Sequence, residues 1–317
     1  MNAREMYARI VTAARWGGAS ANEVPTATAG APDAPAADVR PELDLLPLYG
    51  ELAPSPCNLR PWAFRRTGDA LDIGPDHARA PAHGIAANRE MVLSCGAALF
   101  NMRIALRHFG YRDRVTRVPH IASRWALARL QPGRQAHEES QDRQLFYAIP
   151  RRHTIRTGFV DRPLPRHLVD RLQQTAQMHG AWLRLVVLRP ERHELSDLTF
   201  EAFVRSADET NEAACDQWTG GQFPSAGSLL AASRAQALLS EAPILAILGT
   251  AGDDAADWLV AGEALEEILL QAAADDVFAG YVNQPLRVAD LRRWVGVIAG
   301  GGAPHVLFGL GHAPVAA

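Results

Sequence analysis

The sequence predicts an α+β fold built around two long, mostly buried helices, and three observations carry that reading. The first is a shared pattern. In CGAALFNMRIALRHFGY the apolar stripe Ala98, Met102, Ala105, Leu106 and Phe109 recurs at helical spacing, with Arg103 and Arg107 opposite. In WLVAGEALEEILLQAAADDVFAGY the stripe is Ala261, Leu265, Ile268, Leu269 and Ala272, with Glu263 and Glu267 opposite. Both segments open on Gly-x-Ala-Leu and close on Gly-Tyr. The second observation is a set of short apolar runs that read as strands: WLRLVVL from Trp182, PILAILGT from Pro243 and PHVLFGLG from Pro304. The third is their order. Hairpin, helix, helix, strand, strand, helix, strand lacks the strict βαβ alternation of a parallel sheet. Two ordinary core helices would give the same periodicity, so the pattern alone leaves duplication open.

Taken along the chain, residues 19–41 are rich in Ala, Pro, Thr and Asp and read as a linker behind a short helix-like stretch, Glu5 to Arg15. Residues 1–40 are therefore expected to form an arm, with order beginning near Pro41. WAFRRTGDALDI reads as a hairpin around Thr67-Gly68-Asp69. VDRPLPRHLVDRLQQTA reads as a helix starting near Pro165, with Leu168, Val169 and Leu172 on one face. Residues 205–234 mix turn residues with Trp218 and Phe223, which fits a lid over a site or a segment without fixed structure.

Composition excludes several classes. The chain has 317 residues, room for two domains or one domain duplicated. A net charge of −3 gives no basic field for nucleic acid. No apolar run approaches the roughly 18–20 residues that span a bilayer, and charges interrupt the apolar part of the N-terminus, so a cytoplasmic protein with no membrane partner is expected. Cys57, Cys95 and Cys215 lie far apart without CxxC spacing, which argues against a disulfide framework and a structural zinc site. The 11 histidines show no zinc-binding spacing, so no metal is expected. No GxGxxG or GxxxxGK[ST] follows a strand.

Two stretches carry chemistry. RRHTIR, Arg151 to Arg156, offers guanidinium forks and a hydroxyl just ahead of a helix, a donor set suited to a terminal phosphate monoester. A solvated turn is the bland alternative. ELAPSPCNLRPWAF, Glu51 to Phe64, sets Pro54, Ser55, Asn58, Pro61 and Trp62 in order. Short polar groups, prolines that fix the backbone and a flat Trp suit a flat, heteroatom-rimmed ligand; a capped helix start with a core Trp would read the same way.

APSPCNLRPW resembles the APSxxNxQPW motif of the flavin-dependent nitroreductase family, and RRHTIRTGF resembles its Arg-Arg-Ser-x-Arg-x-Phe phosphate motif. GEALEEILLQAAADDVFAGYVNQPL is similar to the family's central helix and the segment after it. The resemblance covers roughly Pro41 to Pro314. The motif order, with the APSxxN-type segment first, is that of the Acg-like branch, in which two nitroreductase units are fused into a pseudo-dimer. The resemblance implies an N-terminal half over 41–149, a C-terminal half over 150–317, and one FMN per chain held between them. It implies that Arg152, His153, Thr154 and Arg156 take the phosphate and ribityl positions, with Arg151 in support. Pro54, Ser55 and Asn58 would line the ring, and Asn283 and Gln284 would approach it through the backbone. Catalysis would be flavin-centred, with no catalytic side chain. NAD(P)H would be the electron donor and a small quinone or nitro compound the acceptor, in a chain that can act as a monomer.

Two positions depart from the family. Arg60 stands where the motif has Gln, and Gly309 stands where the branch usually has a phosphate-binding Arg. Loss of one such contact costs about 1.5–3 kcal/mol unless another group, such as Arg151 or His312, takes its place. Two other functions compete: an FMN-storing protein closed by its lid, and a non-enzymatic anion-binding surface.

Overall fold

Gly96 and Gly262, the glycines that open the two look-alike segments, are where two long helices cross. In the computed structural model, which describes residues 43–79, 85–118, 125–156, 158–206 and 229–314, these helices are α2 (Ile85–His108) and α7 (Ala255–Ala274). A methyl built on Gly96 would lie 2.1 Å from the Leu259 carbonyl oxygen, and one on Gly262 would lie 2.0 Å from that of Leu93. Backbone therefore packs on backbone, closer than any side chain permits. Asp254 begins α7 as a reciprocal capping box with Asp257, which satisfies amides that the first turn leaves free.

Around this pair lie two four-stranded sheets. The first holds β1 (Trp62–Thr67), β2 (Ala70–Pro75), β3 (Tyr111–Arg117) and β4 (Ala128–Gln135) in the order β1-β2-β4-β3. The second holds β5 (Ala181–Leu185), β6 (Ile244–Thr250), β7 (Phe278–Tyr281) and β8 (Ala303–Gly311) in the order β5-β6-β8-β7. The two orders are the same, and in each the long helix connects the second strand to the third. Every pairing between these strands is antiparallel, so the sheets are not mixed; the parallel element is a single bridge from Thr154 to Ala279.

Several expected elements stand where the sequence puts them. β1 and β2 form the hairpin around Gly68, β5, β6 and β8 match the three apolar runs, and a helix α4 (Arg166–Met178) begins at Pro165 with Leu168 and Leu172 buried. The remaining helices are α1 (Leu46–Gly50), α3 (Ser140–Ala148), α5 (Arg189–Ser206), α6 (Leu229–Glu241), α8 (Gln284–Arg287) and α9 (Ala289–Ile298). The arm at 1–40 and all of the expected lid between 207 and 228 lie outside the described residues. No helix among the described residues is long and apolar enough to cross a membrane.

Opposite the apolar stripe of α7, Glu263 is fully buried and ion-paired with Arg103 and with Arg117 of β3. Burial without partners would force such a carboxyl to stay neutral; two guanidinium groups instead hold it below the usual carboxylate range against the opposing effect of burial. Cys57 is disulfide-bonded, which corrects the expectation, drawn from the wide cysteine spacing, that disulfides play no part; Cys95 is free and buried. Trp62 is not a ligand anchor: it is 2% exposed, and its indole N–H donates to Glu51 (3.0 Å) within the first core.

Buried His305 on β8 gives the fold a pH dependence. Its Nδ1 accepts from Arg292 (3.2 Å), Nε2–H donates to Thr250 Oγ1 (2.6 Å), and that hydroxyl donates to the Gly252 carbonyl (2.8 Å). The chain of bonds is complete only for a neutral ring. Burial, reinforced by Arg292, pushes the imidazole down to about 3. The folded value lies below the unfolded one, so above about pH 6.5 neither state holds the proton and the group makes no difference. As pH falls from about 6.5 toward 3 only the unfolded state takes it up, and stability is expected to drop by about 1.4 kcal/mol per pH unit from this residue. The difference in stability between the native chain and His305→Gln, from urea unfolding between pH 7 and 4, should change with that slope, because groups common to both proteins, Glu266 among them, cancel.

Candidate functional site

The segment Glu51–Trp62 forms a tight loop ahead of β1. Pro56–Asn58 make one 3-10 turn, closed by Asn58 N–H to the Ser55 carbonyl and Leu59 N–H to the Pro56 carbonyl (3.1 and 3.0 Å). Cys57, Asn58 and Arg60 all have positive φ, at 49, 55 and 51°. Three non-glycine residues in the left-handed region within four positions are costly, and such strain gathers where a loop must present itself in one shape. Ser55 holds the shape: its Oγ accepts from the Arg60 amide at 2.9 Å. Pro61 ties the loop to α2, its carbonyl accepting from the Cys95 thiol at 3.9 Å.

The basic segment follows α3 and runs beside β7. Thr154 bridges Ala279, and the Ile155 amide donates to the Ala279 carbonyl at 2.8 Å. β7 continues through Val282 to Asn283 and Gln284 at the start of α8. The side chains diverge. Arg151 is exposed and paired with Asp276, and His153 lies on Phe278 with ring centroids 3.9 Å apart. Arg152 instead turns inward, 13% exposed, and donates from Nη2 to the Leu52 carbonyl at 3.2 Å. Arg156 is exposed.

That Arg152–Leu52 bond brings the two predicted segments together, since Leu52 stands three residues before Ser55. Behind Arg152 sits Glu266 of α7, fully buried, with its carboxylate 3.7 Å from the Arg152 Nε. This is too long for a hydrogen bond. Neither carboxylate oxygen has a hydrogen-bond partner, nor do the Arg152 Nε and the Tyr281 hydroxyl. Burial pushes Glu266 up to about 7, with Arg152 and then Asn101 opposing. One N–H of the Asn101 amide donates to the Tyr49 carbonyl (3.3 Å), and the amide also faces the carboxylate as a donor that favours its charge, though outside hydrogen-bond geometry. Glu266 escaped the sequence reading, yet a signal existed. It lies four residues after Gly262, on the face that the helix crossing must bury.

Asn283 and Gln284 are half-buried. Asn283 Oδ1 accepts from the Leu307 amide at 2.9 Å, which pins the end of β7 to β8, and Gln284 Oε1 is buried without a partner. α8 is joined to α2 by Arg89, which donates to the Leu286 carbonyl, and by a two-bond pair between Arg287 and Glu90. Arg60, 43% exposed, reaches Glu51 at 3.5 Å while its Nε is orphaned. Buried donors and acceptors without partners are rare in folded proteins; those around this site include atoms of Arg60, Arg152, Glu266, Tyr281 and Gln284.

The position of Gly309 is sealed. A Cβ there would meet the Ala242 methyl at 2.7 Å and the Phe159 ring at 3.0 Å, so no longer side chain fits without repacking. The two groups considered as substitutes for a missing arginine, Arg151 and His312, both converge on Asp276: Arg151 on its carboxylate, and the His312 Nδ1–H on its carbonyl at 3.0 Å.

Two sheets of one topology, joined by crossing helices, with an arginine of the basic segment bonded to the loop ahead of the other sheet, define an α+β protein. No family model matches the chain. Two curated sequences of Mycobacterium tuberculosis do, "Putative NAD(P)H nitroreductase Rv3131" of strain H37Rv and "Putative NAD(P)H nitroreductase MT3217" of strain CDC 1551; each is 30% identical over 293 residues, covering 83% of both chains. The chain belongs to the nitroreductase family. Among solved structures, the FMN and NADPH-dependent nitroreductase NfnB from a "sphigopyxis" strain aligns at 16% identity and a TM-score of 0.42, over 53% of this chain and 88% of its own. An FMN-bound nitroreductase from Desulfitobacterium hafniense aligns at 15% and 0.40, over 55% and 91%.

Proposed function

We propose that this protein is an FMN-dependent NAD(P)H oxidoreductase that passes a hydride to a small quinone or nitro acceptor by alternating half-reactions. The observation that carries the reading is the Arg152–Leu52 contact, which joins the phosphate-type segment to the APSxxN-type loop. The donor set fits the cofactor: Arg152, Thr154 and Arg156 supply two guanidinium groups and a hydroxyl, and the orphaned atoms of Arg60, Arg152 and Gln284 leave hydrogen-bonding capacity unused. FMN, when bound, supplies the hydride chemistry. The chain's part is to bind and orient. Arg152, His153, Thr154 and Arg156 hold the phosphate end, with Arg151 adding charge from its pair with Asp276. Pro54, Ser55 and Asn58 present the strained loop to the ring. The backbone at Asn283 and Gln284 offers donors, and Arg60 adds positive potential that favours an anionic reduced ring. The sealed position at Gly309 leaves this grip one cation short of the family pattern.

The halves 41–149 and 150–317 act on this reading as an intrachain pseudo-dimer of the Acg-like kind, holding one FMN and needing no second chain. The identical strand orders and the glycine crossing support it. Location in the cytoplasm is part of the same proposal. The names of the relatives favour the reductase over the storage alternative.

Purified protein is expected to be yellow, with a flavin-to-chain ratio near one. Anaerobic mixing with NADPH should bleach it within seconds. Flavin that stays oxidised for many minutes would overturn the enzyme reading, and a colourless chain that takes up no FMN would overturn the cofactor.

A further inference from the structure

Glu266 is the one buried carboxylate among the described residues with neither oxygen hydrogen-bonded. What faces it is known from each side. From α2 comes the Asn101 amide, bonded elsewhere; from the segment after α3, the Arg152 guanidinium; from β7, the Tyr281 hydroxyl, itself unpartnered and raised by burial. On its own helix, Glu263 is consumed by Arg103 and Arg117, and Glu267 accepts from His179 at 2.7 Å. Arg152 is thus the cation on which a charge at Glu266 depends, and it touches that charge only at 3.7 Å.

We propose that Glu266 takes up a proton when Arg152 engages a phosphate, so that anion binding at the seam is coupled to neutralisation of this carboxylate. The inference rests on the phosphate reading of Arg152 and goes beyond it. A phosphate on the guanidinium spends the positive field that Glu266 uses, and adds negative charge at short range in a poorly solvated site. The carboxylate cannot escape to water and has no hydrogen bond to lose. Neutralisation is the available response, and a carboxyl already near 7 makes it cheap at neutral pH. Once protonated, Glu266 becomes a donor, and the unpartnered Tyr281 hydroxyl is an acceptor of the right kind. By reciprocity, protons then tighten the grip on phosphate. Above about pH 7, affinity should fall toward tenfold per pH unit until the carboxyl of the complex itself ionises.

The test is calorimetric titration of FMN into flavin-free protein at pH 8, in Hepes and in Tris, whose different ionisation heats reveal proton exchange. The native chain is expected to take up about 0.5–1 proton per FMN, and Glu266→Gln about none beyond the phosphate's own share. The variant's affinity should also lose the steep fall above pH 7. Equal proton uptake by both proteins, with FMN bound in both, would overturn the coupling alone. Failure of FMN to bind the native chain would overturn the phosphate reading and the coupling with it. Riboflavin, which lacks the phosphate, serves as control; uptake of the same proton with riboflavin would also overturn the proposal. A measurement on the native chain avoids any folding defect of the variant: the infrared difference spectrum on adding FMN should gain a protonated carboxyl band, and its absence would count against the proposal.

Discussion

Replacing Gly262 by alanine is expected to destabilise the protein by about 1–3 kcal/mol, although alanine is the better helix former. In an ordinary helix interior the same change stabilises by about 1 kcal/mol. Here the added methyl would sit 2.0 Å from the Leu93 carbonyl oxygen and 3.0 Å from the Gly96 Cα. Its neighbours are backbone of the partner helix, which cannot rotate aside as a side chain would. The helices must separate, and with them the burial that both cores share, a cost of about 1–3 kcal/mol for overpacking. Gly96→Ala should behave alike, since its methyl would meet the Leu259 carbonyl oxygen at 2.1 Å. Urea unfolding of the two variants checks this; a midpoint equal to or above that of the native chain would mean that the helices do not cross at their glycines.

Replacing Arg152 by alanine should weaken FMN binding about tenfold to a hundredfold, the equivalent of about 1.5–3 kcal/mol for a hydrogen bond to a charged group. Stability should change much less. The lost bond to the Leu52 carbonyl is one of several bonds that tie the elements of the two sheets together, and Glu266, deprived of its cation, can hold a proton instead of an unpaired charge. Arg152→Lys should fall between the two, because it keeps the charge and loses the fork. Flavin content after gel filtration, with urea unfolding beside it, separates these effects. Unchanged flavin in Arg152→Ala would remove Arg152 from the site, and loss of fold before loss of flavin would make it a structural residue.

The strands that sequence reading found and those that it missed differ for a physical reason. β6 and β8 lie in the interior of their sheet and read as apolar runs. β3, YRDRVTR, lies at a sheet edge, and its alternation is of arginine and aspartate. It is held by ion pairs, with Asp113 taking Arg103 and Arg107 and Arg117 reaching Glu263. Glu263 lies 146 residues from Arg117, and Arg103 and Arg107 lie on the preceding helix 10 and 6 residues before Asp113, so the alternation within the strand itself reveals none of them. β4 carries a Pro-Gly pair that reads as a turn, and β7 spans four residues. The site divides in the same way. Ser55, Arg152 and Asn283 stand in motifs of fixed spacing and could be named in advance, whereas Trp62 could not be told from a ligand anchor until its burial was known.

The sequence by itself determined the class of the fold, the two segments that the proposed cofactor would need, and the two long look-alike helices, because each is written in local spacing and residue type. Only the tertiary structure decided which cation turns inward and which carboxylate waits behind it. Arg151 and Arg152 are neighbours of the same kind, and Glu266 and Glu267 likewise. What separates them is the side of the backbone each occupies when two helices close on one another. Burial and charge pairing are set by that closure, and no window of the chain contains both partners.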